Sequence, residues 1–170
     1  MTDLDRRPAK LSAIVALGAG ALAAFTAALT ASVGVLFAGF GVVALAPALL
    51  VGSRRLVHLG SGALVAGILF AGATGSGSGG ATELLLLVGA TASIVAWDVG
   101  QNAIGIGEQL GRDTETTRAE LAHLGATVAV GTVTAGTAYG LYQVAGSGQP
   151  LAALAMMLVA VVALTSALRQ

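Results

Sequence analysis

An all-α, polytopic integral membrane protein with six transmembrane helices in one compact bundle is the fold class that three observations predict. The chain is 56% hydrophobic and 9% charged, with a mean hydropathy of +0.90, whereas a water-facing surface ordinarily places charges at roughly a quarter of all positions. Its apolar residues form runs long enough to cross a hydrocarbon core about 30 Å thick. Every lysine and arginine falls in alternate polar gaps between those runs. Helices are expected throughout, because an open sheet leaves backbone groups unsatisfied in lipid. The 170 residues are read as a single membrane domain, 1–170.

The first two spans come from one uncharged run, Leu11 to Gly52. As a continuous helix it would be roughly twice the hydrocarbon thickness at about 1.5 Å per residue. It must therefore fold back, giving spans at 11–30 and 34–52 with the turn near Thr30 to Gly34. The first run is long enough to span and passes directly into the second, so it is expected to be a retained anchor rather than a cleaved signal. Pro47 removes one backbone hydrogen bond inside span two and predicts a kink. Gly52-Ser53-Arg54-Arg55 then precedes a glycine-rich third span, 56–73.

Thr74 to Gly80, TGSGSGG, has the composition of a flexible linker. Span four follows at 83–103, and the one continuous hydrophilic segment lies at 106–120. Thr117 with Glu120 makes a capping-box pattern for span five, 121–143. Pro150 suits the first turn of span six, 151–168. No inverted repeat relates the two halves, and Pro47 has no counterpart in the second.

Orientation follows from the charges. Arg6, Arg7 and Lys10 precede span one, Arg54 and Arg55 follow span two, Arg112 and Arg118 follow span four, and Arg169 follows span six. All lie on one side, which the positive-inside rule makes cytoplasmic. Both termini are expected inside the cell (plasma) membrane.

The most specific local pattern runs from Trp97 to Arg112. At about 100° per residue, Asp98, Gln101, Asn102, Glu108, Gln109 and Arg112 share one third of the helix circumference, giving span four a polar seam. Asp98 lies in the inner leaflet, where a carboxylate must face other helices, water or a cavity. It is a candidate proton or cation site, or a hydrogen-bonding group that fixes helix packing. Gly89 with Ser93, and Gly136 with Gly140, are small-residue pairs for helix contacts first and for a homo-oligomer second.

Other chemistries find little support. Without cysteine there is no thiolate site. His58, His123 and Asp98 could in principle supply three metal ligands, but no two of them lie one turn apart on a single helix, so no metal or cofactor is expected; Glu120, three residues before His123, makes a local helix contact with it. The glycine-flanked serines fall in the outer loop, away from any base, so no catalytic residue is assigned. No basic run points to nucleic acid.

The segment WDVGQNAIGIGEQLGRDTETTRAEL resembles the best-marked part of a family of small haloarchaeal multi-pass membrane proteins of unknown function, over residues 95–123. The resemblance implies an archaeal source and a genetic association with a MoxR-type AAA ATPase, a von Willebrand-type domain protein and a transglutaminase-like membrane protein. It supplies no catalytic residue. The leading expectation is a non-enzymatic structural or accessory subunit of a membrane complex, docking a membrane or cytoplasmic partner through 106–120. The alternative is a small transporter or channel using Asp98, with Gln101 and Asn102 as neighbouring ligands.

Overall fold

The computed structural model describes residues 5–30, 32–75, 79–111 and 114–145, apart from the side chains of residues 32, 144 and 145. The expected sixth span, 151–168, lies outside them, as do Arg112 and Arg169. Among the described residues there are five helices: α1 (Lys10–Thr30), α2 (Ser32–Val51), α3 (Arg54–Thr74), α4 (Gly80–Leu110) and α5 (Thr117–Ala145). Each is long and apolar enough to cross a membrane. Their surfaces agree with that reading, since Leu36, Val43, Leu50, Val51 and Leu69 are all exposed, a density of bare apolar side chains that water does not favour.

The chain divides into two compact units, residues 1–133 and 134–170. In the first, α1 to α4 form a ring of neighbours: α1 lies against α2 and α4, and α3 against α2 and α4. Helix α1 ends at Thr30 and α2 begins at Ser32, within the expected turn. Pro47 lies inside α2, and the helix continues across it. The turn from α2 to α3 needs only two residues. Gly52 adopts φ 74°, a conformation glycine takes without penalty, and Ser53 caps α3 by accepting from the Leu56 amide. In the second unit, the described end of α5 carries stacked Tyr139 and Tyr142, and Gln143 Nε2 donates to the Tyr139 hydroxyl.

The core is built mainly from alanine: Ala16, Ala23, Ala27, Ala38, Ala48, Ala71, Ala96 and Ala103 are buried around Leu45, Leu64, Val57, Val99 and Ile104. Small side chains let backbones approach closely, which drives helix association in membranes where the hydrophobic effect does not. The tightest approach is between α2 and α3. A Cβ added at Gly34, Gly41, Gly60 or Gly67 would lie 2.6–2.9 Å from a backbone oxygen of the facing glycine. The pairs Gly34–Gly67 and Gly41–Gly60 are spaced seven residues apart on both helices. That shared spacing was the available signal for their pairing.

Gly89 and Ser93 serve the same purpose on α4. A Cβ at Gly89 would collide with Thr26 and Ile68, and buried Ser93 returns its hydroxyl to the Gly89 carbonyl. Gly136 and Gly140 differ, because a Cβ at either would meet nothing within 4 Å.

Candidate functional site

Helix α4 is a single helix that runs well past the expected span to Leu110, so its polar seam is presented on one continuous rod. Its C-terminal end is fixed by the N-terminal strap. Ala9 donates its amide to the Ala103 carbonyl at 2.9 Å, and Arg7 crosses at Gly107, where a side chain would strike its backbone. Gly111, at φ 80°, stops the helix.

The seam divides into two clusters. On one side Arg54, at the start of α3, donates to Gln101 Oε1 at 3.1 Å and to Glu108 Oε2 at 2.8 Å. Gln101 Nε2 also contacts the Arg54 carbonyl and His58 Nδ1, and the His58 ring meets Trp97 edge-on. This is a clamp between α3 and α4. Its charges are exposed, so the ion pair contributes about 0.2–1 kcal/mol.

On the other side Asp98 faces α5. His123 Nε2 lies 2.8 Å from Asp98 Oδ2, and the Thr127 hydroxyl donates to the same oxygen. The ring nitrogen is not aligned for a directed hydrogen bond, so its contact with the carboxylate is electrostatic. Both side chains are about one third exposed. One turn nearer the C-terminal end of α4, the buried Asn102 Nδ2 has no partner among the described residues. Gln109 is exposed, and Arg112 lies outside the described residues.

Glu120 is buried, and it turns away from His123. Its carboxylate accepts from the Ser12 amide at 2.7 Å, the Ser12 hydroxyl at 2.6 Å and the Thr116 hydroxyl at 2.8 Å. The expected Glu120–His123 contact is thus replaced by two contacts with other helices. The expected capping box also moves by one residue, because Thr116 rather than Thr117 meets Glu120. The physical reason is the first turn of α1. Its orphan N–H groups and the positive end of its dipole favour a carboxylate there, an attraction stronger than an exposed contact three residues along one helix.

The connector between α4 and α5 forms an open cleft of about 520 Å³, lined by Leu110 and residues 114–119. Glu115 and Arg118 are exposed on it. A second, smaller cleft of about 230 Å³ lies between α3 and α4, with His58, Ser61, Ser93 and Trp97 in its wall.

Sequence periodicity found the seam residues of α4 but not Arg54, His123 or Thr127 as their partners, nor Ser12 as the partner of Glu120. A family model matches residues 6–165; it describes DUF7519, a family of unknown function. No curated protein sequence and no solved structure matches the chain.

Proposed function

The chain belongs to DUF7519, and because that family has no assigned function we propose one: a non-enzymatic membrane subunit that offers the connector between α4 and α5 to a cytoplasmic protein partner. The observation that carries this reading is the cleft of about 520 Å³ formed by Leu110 and residues 114–119. Leu110 gives it an exposed apolar patch, while Glu115 and Arg118 make no ion pair with another described residue. An apolar centre with one charge of each sign at its rim suits a protein surface, whose interfaces combine an apolar core with a polar rim.

The bundle supports a scaffolding role. Its core is alanine and close glycine contact, and the charges of Arg54, Glu108 and Glu120 are spent on contacts within the chain. Docking therefore centres on 110–119 rather than on Glu108. The arrangement of basic residues orients this connector to the cytoplasm of the plasma membrane. Through the resemblance of residues 95–123, a MoxR-type AAA ATPase is the partner class to look for.

The test is affinity purification in mild detergent from the native membrane, comparing the wild type with a Glu115→Gln/Arg118→Gln double variant by mass spectrometry. A stoichiometric partner that is lost in the variant, with helix content unchanged, is the expected result. Equal recovery from both, or a homo-oligomer with no partner, rejects the reading.

A further inference from the structure

The inward face of α5 is polar where a membrane helix would ordinarily pack apolar or small residues. Thr116, just before the helix, is followed by Glu120, His123 and Thr127, all within about 60° of one another at 100° per residue. Each makes a polar contact: Thr116 with Glu120, Glu120 with Ser12 of α1, and His123 and Thr127 with Asp98 of α4. The other faces of α5 are exposed and carry Leu121, Val128, Val130 and Val133. We propose that Asp98 and His123 form a proton-binding site, reached from the cytoplasmic end of this α4–α5 seam, whose occupancy determines how firmly α5 is seated on α4.

Geometry makes the proton matter. With a neutral ring, the misaligned 2.8 Å approach of His123 Nε2 to Asp98 Oδ2 is a weak dipolar contact. A proton taken from water adds to the lone pair of the ring and breaks no bond in the protein. The resulting imidazolium faces a carboxylate already in place, held by the Thr127 hydroxyl, and an opposite charge at this range is worth far more in a low dielectric than a dipole is. Imidazole is the side chain that titrates within the physiological range.

The neighbouring charged groups are engaged elsewhere. On α5, Glu120 is held by Ser12 and Thr116; on α4, Glu108 is held by Arg54 of α3. His58 of α3 faces Gln101 and Trp97, and Lys10 of α1 is exposed. The seam carries titratable groups on one side of the pair only. Asn102, with its unpartnered amide, lies toward the cytoplasmic end. Away from it, Thr91 meets Gly131, and residues 84–97 and 128–138 contain no titratable group. A proton therefore enters and leaves by the same end, as in a sensor rather than a transport path.

The absence of cysteine from these 170 residues gives a direct readout. Thr91→Cys and Gly131→Cys place two thiols where a Cβ at 131 would lie 3.1 Å from Thr91 Cγ2. In nanodiscs, the disulfide yield is measured relative to the same pair carrying His123→Gln, which removes the intrinsic pH dependence of thiol chemistry. The relative yield is expected to rise at least about threefold between about pH 8 and pH 5, and to stay flat with Asp98→Asn. A flat ratio in the native background, or an unchanged rise with Asp98→Asn, overturns the proposal. A second measurement does not depend on altering the pair. With His58→Gln, His123 is the single histidine, and its ring nitrogen resonances and the disulfide yield should change over the same pH interval. A ring that titrates while the yield stays constant, or one that never titrates, also overturns it.

Discussion

The α2–α3 seam and the α4–α5 seam join neighbouring helices by opposite means. Between α2 and α3 the backbones are in contact at Gly34–Gly67 and Gly41–Gly60, with no charged side chain involved. Between α4 and α5 the contacts are a carboxylate, an imidazole and a hydroxyl, while the rest of α5 remains largely exposed. Shape holds the first seam, and shape does not respond to protons or salt. Chemistry holds the second, so its strength depends on the state of its groups. The lesson is that a membrane bundle can keep a permanent core and a conditional helix in one chain by choosing glycine for one seam and titratable residues for the other.

That contrast can be tested by substitution. Gly67→Val places new atoms against the Ala38 backbone, and a Cβ there already lies 2.8 Å from its amide nitrogen. It is expected to destabilise the protein by about 3 kcal/mol, measured by unfolding in mixed micelles, with the same loss at every pH. Glu120→Ala leaves the Ser12 hydroxyl and amide without their acceptor. A loss of about 2 kcal/mol is expected, with faster amide exchange confined to the start of α1 and to α5. A global acceleration including α2 and α3 would show instead that the seams are one cooperative unit.

Thr127→Val keeps the side-chain shape and removes the donor to Asp98. It should cost about 1 kcal/mol by the same unfolding measurement, and leave amide protection in α2 and α3 unchanged. The smallest effect is expected at the exposed Arg54 clamp. Arg54→Gln should change stability by about 0.5 kcal/mol or less, and the difference should shrink further in high salt.

Much of this fold could be read from residue order. The uncharged stretch from Leu11 to Gly52 required a hairpin, and α1 ends at Thr30 and α2 begins at Ser32 where small and β-branched residues interrupt it. Gly52-Ser53 marked a stop followed by a cap, and both act as such. The periodicity from Asp98 onward anticipated that α4 would outrun its span, and the helix ends at Leu110. Third and fifth helices begin earlier than hydropathy alone places them, at Arg54 and Thr117, because charged and polar residues can form a first turn before the apolar run begins.

The site was only half legible. Periodicity assigns a residue to a face of its own helix but says nothing of which helix lies opposite. Asp98 was visible as an intramembrane carboxylate, whereas the spacing of His123 gave no support for joining it to Asp98 and favoured its local neighbour Glu120. The structure exchanges those partners: Glu120 goes to the N-terminus of α1 and His123 to Asp98. The paired glycines of α2 and α3 were not singled out as places of close approach, since the third span was visible only as glycine-rich. Their register needed both helices together, since only the matching seven-residue spacing identifies which glycine meets which.

The Glu120–Ser12 contact also bears on the order in which the chain is completed. Ser12 leaves the ribosome before its acceptor, which is synthesised 108 residues later. Until then the first-turn amides of α1 lack that acceptor. Formation of α1 is therefore separate in time from its final capping. A nascent chain halted before Thr116 would carry α1 to α4 with that turn still uncapped, and the arrival of α5 is the event that caps it.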